Sequence, residues 1–263
     1  MPRRGPLQGH HSSYHSNLSG VFLINKPLDW TSFDVVNKTR NLLHVKKVGH
    51  TGTLDPLSTG VLVVCVGKAT KVIEFMMGAD KEYEGEITFG ATSATDDREG
   101  PITPFAPEGA DPNPRLQASD IQKILPQFIG EIDQIPPTFS AKKVNGKKAY
   151  EAARKGKPLK LKPNKIKIHS IEILSYAWPV LKIRVQCGSG TYIRSLARDM
   201  GKALGVGGYL SALTRTRVGD FFLKNCIGIE AIAPEKIIPI SAVLPSLPPR
   251  ARVKFSMASR AGR

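Results

Sequence analysis

Between Gly60 and Gly67 the chain reads VLVVCV, six apolar residues without a polar interruption. A run that short and that apolar, closed by a glycine at each end, is a strand buried inside a sheet. The residues leading into it are opposite in kind. Gly49–Gly60 reads GHTGTLDPLSTG, with three glycines, three threonines, one proline and a single carboxylate, Asp55. An Asp before a proline is commonly a turn or N-cap residue. Two features point to presentation of an acid instead. His50 and Asp55 share one constrained loop, and that loop runs straight into a buried strand, the rigid base a catalytic loop needs.

Other segments are short and mixed. GVFLINKP (20–27) predicts a strand, and TSFDVVNKTRNLLH a helix capped by Thr31 or Ser32, with Phe33, Val36 and Leu43 on one face. KATKVIEFMMG predicts a helix closed by Gly78. KEYEGEITFG alternates like a half-buried strand, and ATSATDDREGPITP breaks into an acidic loop. DIQKILPQFIG and KKAYEAARKG predict helices; KIKIHSIEILSYAW and VLKIRVQCG predict an antiparallel pair. GTYIRSLARDMGKALG is a helix entered through glycine, and GGYLSALTRTRVGDF a further strand. Strands and helices do not alternate regularly, so the class expected is α+β with a mixed, mostly antiparallel sheet.

Charge narrows the partner. The formal net charge is +16, which points to a polyanion, nucleic acid before anionic membrane. Eleven Lys and Arg against one acid lie between Lys142 and Lys167, with Val144, Tyr150, Leu159, Leu161 and Ile166 interleaved. That pattern suits a folded, phosphate-facing surface. No apolar run approaches the roughly 18 residues needed to cross a bilayer. Cys65, Cys187 and Cys226 are far apart, which suggests neither a disulfide framework nor a zinc site and fits a reducing cytoplasm. Walker, GxGxxG, GxSxG and HExxH patterns are missing from the sequence, which leaves ATP-driven, triad-hydrolase and zinc-protease chemistry without support.

A carboxylate in a closed pocket needs a counter-ion, and Arg194, fed by a Gly-rich turn into a helix start, is a candidate. Tyr83 could stack on a base or transfer a proton; it could equally be an ordinary strand aromatic. At this point the segments resemble, in order, the motifs of the TruB family of tRNA pseudouridine synthases. INKPLDWTSFDVV, GHTGTLDPLSTGVL, KEYEGEITFG, IPPTFSAKKVNGKKAYEAARKG, GTYIRSLARDMG and YLSALTRTRVGDF carry the resemblance, over roughly residues 20 to 240.

The resemblance implies a pseudouridine-synthase fold, with RNA-binding loops, that converts uridine 55 of the tRNA T-loop without cofactor or metal. It makes Asp55 the essential acid, paired with Arg194, with Tyr83 stacked on the uracil and Leu213 packed on its other face. His50 would hold the T-loop, Lys26 would sit near the site, and Tyr192 would form a pocket wall. The sequence departs from the family at Ala94, where an Asp is usual, and at Thr214, where an Arg is common, while keeping Asp97 in a loop expected to touch RNA. The expected division is a basic arm (1–19), a catalytic domain (20–245) and a basic tail (246–263) too short for a PUA domain. A cytoplasmic monomer acting on tRNA with no obligatory protein partner follows, with organellar import a second possibility given an acid-free N-terminus. A non-catalytic RNA chaperone, or a synthase of messenger or mitochondrial RNA, are the competing readings.

Overall fold

A computed structural model describes residues 18–105, 116–140, 142–144, 147–154, 156 and 159–246. Most of the expected arm, the tail from 247 onward and parts of the basic segment lie outside the described residues. In chain order the elements begin with β1 (Gly20–Lys26), α1 (Ser32–Leu42), β2 (Val48–His50), β3 (Ser58–Val66), α2 (Ile73–Met77) and β4 (Lys81–Phe89). They continue through β5 (Ala91–Ser93), β6 (Ile102–Pro104), α3 (Ala118–Ile124), β7 (Gly130–Gln134), β8 (Lys143–Val144), β9 (Lys147–Lys148) and α4 (Ala149–Arg154). Last come β10 (Asn164–Ala177), β11 (Val180–Cys187), α5 (Ile193–Ala203), β12 (Gly208–Val218), β13 (Phe221–Phe222) and α6 (Ile240–Val243).

One nine-stranded sheet runs in the order β1-β3-β12-β4-β11-β10-β7, with β2 beside β3 and β13 beside β12. Its described pairs are antiparallel except β3 with β12, where Leu213, Thr214 and Arg215 face Ser58, Thr59 and Gly60. The expected α+β class, with a mixed and mostly antiparallel sheet, is what the chain adopts. The apolar run of β3 explains why it has no polar face. Val61, Val63 and Cys65 pack into a cluster with Val72, Met76 and Ile240, while Leu62, Val64 and Val66 pack with Val35, Leu43 and Ile229. All six run residues are fully buried, and each of the five valines and leucines stabilises the fold by roughly 1.5–3 kcal/mol. A third cluster sets α3 and α5 against β4, β11 and β10.

Beyond β13 the chain returns along β1, exchanging backbone hydrogen bonds between Ile227 and Leu23 or Asn25, and between Ile238 and Val21. That cover removes β1 as an open edge.

Several local expectations need correction. Phe33 is 63% exposed, and the buried stripe of α1 is Ser32, Val35, Val36 and Thr39. At about 100° per residue those four cluster on one side of the helix, and Phe33 lies about 110° away from their centre. The segment before Gly78 starts as a 3₁₀ helix (Gly67–Val72) in which the Thr70 hydroxyl donates to the Gly67 carbonyl, and only Ile73–Met77 is α-helical. The third helix ends at Ile124 and tightens to 3₁₀ over Leu125–Phe128, where Pro126 has no N–H to donate. The acidic loop is the tip of a β5–β6 hairpin.

Candidate active site

The site forms where β3 and β12 run parallel and β4 lies on the other side of β12. The loop from Thr51 to Leu57 closes over this junction, and its backbone is tied down almost atom by atom. Ser32 Oγ donates to the Leu54 carbonyl at 3.0 Å and accepts from the Leu54 N–H at 2.8 Å. Ser32 is free for this because Thr31 caps α1 in a reciprocal box with Asp34. Asp29 N–H and Lys26 Nζ both donate to the Pro56 carbonyl, at 2.9 and 3.3 Å. Ser58 N–H donates to the Asp55 carbonyl at 3.0 Å.

Arg215 closes the other side. Its Nε donates to the Val61 carbonyl at 2.8 Å, and its two terminal nitrogens to Gly52 at 3.0 Å and Thr53 at 3.4 Å. The guanidinium thus does for loop carbonyls what a strand would do for a straight segment. Gly60 takes φ +102 beside it, and a Cβ there would lie 2.2 Å from the Arg215 carbonyl oxygen, so only glycine lets the loop enter β3 at this approach.

With its backbone committed, the loop presents the Asp55 side chain, which is 40% exposed. Arg194 Nη2 pairs with Asp55 Oδ2 at 3.0 Å, as expected from the sequence. Its Nη1 pairs with Asp97 Oδ2 at 3.1 Å. Asp97 is 1% exposed: it is an inner carboxylate holding the arginine that holds the outer one. Arg194 also donates to the carbonyls of Thr95 and Phe139, both at 3.2 Å. Asp97 Oδ1 accepts from Thr95 Oγ1 at 2.5 Å and from Glu99 N–H at 3.0 Å. Gln134, 2% exposed, fixes the helix entry by accepting from the Tyr192 N–H and donating to its carbonyl, at 2.9 and 3.1 Å.

Tyr83 and Leu213 line the same side of the sheet. Tyr83 sits opposite Arg215 and Leu213 opposite Gly85, so the two are diagonal neighbours, with Leu57 in the same apolar cluster. A Cβ at Gly85 would touch Leu213 Cδ1 at 3.4 Å. Burial pushes the Tyr83 phenol above its ordinary value, with the Arg215 guanidinium pulling the other way. Tyr83 therefore stays a neutral phenol at physiological pH. Burial first, and Arg215 second, push His50 below its usual range. Its Nδ1 accepts from Gly52 N–H at 3.3 Å, which leaves Nε2–H as a donor. Tyr192 caps α5 half-buried, with its phenol also pushed up by burial.

Lys26 is fully buried, and its Nζ donates to the carbonyls of Pro27, Trp30 and Pro56 at 2.8, 2.5 and 3.3 Å. Burial lowers it to about 8, with Asp55 the largest opposing influence. Lys26→Met should cost about 2 kcal/mol at pH 7, because the Pro27 and Trp30 carbonyls lose the Lys26 donor while Pro56 keeps only the Asp29 N–H. The folded value lies below the unfolded 10.5, so the penalty on the buried cation is fully present below pH 8 and is relieved between about 8 and 10.5. Wild-type stability relative to the variant should therefore rise across that window in chemical denaturation. A flat difference would contradict the placement.

The seven residues singled out in the sequence fall around the Asp55 loop and the strands beside it: Asp55 and Arg194 are paired, Tyr83 and Leu213 share one face of the sheet, Lys26 and His50 flank the loop, and Tyr192 stands at the start of α5. Asp97, Arg215, Ser32 and Gln134 were missed. Among the described residues no group of three or more His, Cys, Asp or Glu side chains comes together to hold a metal ion. No described helix is long and apolar enough to cross a membrane.

The sequence matches the model for the TruB family pseudouridylate synthase N-terminal domain over residues 40–193, and that for the tRNA pseudouridylate synthase B C-terminal domain over 194–237. It is similar to a tRNA pseudouridine synthase B of Thermus thermophilus, 40% identical over 258 residues covering 86% of this chain and 81% of that one. The Bacteroides fragilis (strain YCH46) protein of the same name is 49% identical over 213 residues, covering 79% of this chain and 89% of its own. Among solved structures, one in a Cbf5–Nop10–Gar1 complex superposes with TM-score 0.62 at 32% identity over 80% of this chain. Another, in the archaeal box H/ACA sRNP Nop10–Cbf5 complex, gives 0.60 at 28% identity over 82% of this chain. This chain spans about half the length of each, 52% and 53%.

Proposed function

The chain belongs to the TruB family of pseudouridylate synthases, and from that premise we propose that it isomerises uridine 55 in the T-loop of tRNA to pseudouridine. The observation that carries this is the accessible Asp55 paired with the buried Arg194, beside the sheet face that carries Tyr83 and Leu213. The carboxylate is accessible, its cation is buried, and an apolar wall stands ready for a base.

The reaction breaks N1–C1′, turns the uracil and joins C5 to C1′; N1 gains a proton and C5 loses one. Nothing is oxidised and no phosphoryl group moves, so one carboxylate can serve by attack on C1′, by addition to C6, or by removal of the 2′ proton. Water at C1′ would cleave the sugar from the base, and the apolar cluster of Leu57, Leu213 and the Tyr83 ring offers water no polar partner on that side. Tyr83 stacks on the flipped base; because its phenol is neutral, any part it plays at C5 is a proton relay and not a standing phenolate. Leu213 packs on the uracil, Tyr192 walls the pocket, and neutral His50 donates to the T-loop through Nε2. Lys26 holds the loop carbonyls.

The target uridine is stacked in folded tRNA, and extruding it costs a few kcal/mol. Phosphate contacts from the basic segment offset that cost, with a correspondingly steep salt dependence. We read residues 20–245 as the catalytic domain flanked by basic arms, acting in the cytoplasm as a monomer. The Cbf5 chains are found with Nop10 and Gar1, so sedimentation with and without tRNA is the check on this point. Purified protein incubated with a tRNA transcript and unrelated RNAs, followed by nucleotide-resolution mapping, should give pseudouridine at position 55 only. Binding without product would favour an RNA chaperone, and product in other RNAs a broader synthase.

A further inference from the structure

Arg198 lies one helical turn beyond Arg194 on α5 and repeats its pattern of contacts. Arg194 joins the 93–99 loop, through Thr95 and Asp97, to the 135–139 segment, through the Phe139 carbonyl. Arg198 joins the same two segments. Its Nη1 pairs with Asp96 Oδ2 at 2.8 Å and its Nη2 donates to the Ile135 carbonyl at 2.9 Å, while Nε is held by Asp199 Oδ1 at 2.9 Å. Ser195 Oγ donates to the same Ile135 carbonyl at 2.8 Å.

The partner residue is in an unusual conformation. Asp96 takes φ +62, the left-handed region that a side chain disfavours, and its side chain is 14% exposed. Its backbone carbonyl accepts from Leu210 N–H at 3.0 Å, and its N–H donates to the Ser93 carbonyl at 3.1 Å. The turn at Asp96 decides the direction in which the next residue, Asp97, points. Among the described residues neither Asp96 nor Arg198 bonds to Asp55.

We propose that Arg198 and Asp96 form a positioning pair for the reaction. Their contact holds the left-handed turn in place, the turn aims Asp97 at Arg194, and Arg194 is thereby held at Asp55. The pair acts through two other side chains and touches no reacting atom. This rests on the reading of Asp55 and Arg194 as the reacting centre. An inactive wild type would overturn that reading itself, so the variants are compared with an enzyme already shown to convert uridine 55.

The test is single-turnover conversion at saturating tRNA for Arg198→Ala, Arg198→Lys, Asp96→Asn and the double variant Asp96→Asn/Arg198→Ala. Asparagine keeps the left-handed turn accessible while removing the charge. Arg198→Ala should slow the step about 10- to 100-fold while tRNA affinity stays within about threefold, the signature of a misplaced catalytic group. Arg198→Lys should recover part of the rate. The double variant should be no slower than Arg198→Ala by more than about twofold, since both changes act on one contact. Wild-type rates in Arg198→Ala and Asp96→Asn, losses that multiply, or slowing that tracks only the folded fraction in thermal melts would each overturn the proposal.

Discussion

Arg194→Met should destabilise the protein by about 3–5 kcal/mol, because removing one partner of a buried ion pair strands the other charge. The stranded charge is Asp97, 1% exposed, whose Oδ2 faces Arg194 at 3.1 Å. Its other oxygen would keep Thr95 and the Glu99 N–H, which cannot neutralise a full charge. Turnover should fall by about 10³-fold or more, since Asp55 loses the cation that orients it. The two losses have separate causes and can be separated. Arg194→Met with Asp97→Asn removes the stranded charge, so chemical denaturation should show most of the stability restored. Activity should stay lost. Recovery of both in the double variant would mean that Arg194 serves only to satisfy Asp97.

The sequence was informative about the loop and less so about what supports it. The apolar run of β3 and its glycine boundaries made the strand legible, and the loop's composition singled out Asp55. Arg215 was passed over, although the two-residue period of a strand puts it on the same face as Leu213, with Thr214 facing away toward Thr59. The signal was present; an arginine facing inward was not expected. Asp97 stands in TDDREG among other charged residues, and nothing in that string marks it as the buried acid. Two arginines four residues apart on α5 could have flagged two acids to meet them. What no local pattern could supply is the parallel β3–β12 contact, which joins residues about 155 positions apart. Phe33 shows the converse: an aromatic in a helical pattern was assigned inward, and the actual stripe passes beside it.

Asp55 is the least equipped residue in the site by its own contacts and the most consequential by position. Its backbone is held through Ser58, its side chain meets Arg194, and 40% of that side chain is exposed. Asn has nearly the same shape and can accept a hydrogen bond from Arg194, so Asp55→Asn should leave the loop and the RNA surface intact while removing the charge. The same variant cannot attack C1′, add to C6 or take a 2′ proton at a useful rate, so all three routes predict the same outcome. The decisive measurement follows one T-arm transcript in two ways with this variant: its dissociation constant, and pseudouridine formed at position 55 in a single turnover. Affinity should stay within about threefold of wild type while the rate falls by about 10⁴-fold or more. Product formed at a rate near wild type would contradict this role for Asp55, as would loss of binding equal to the loss of rate.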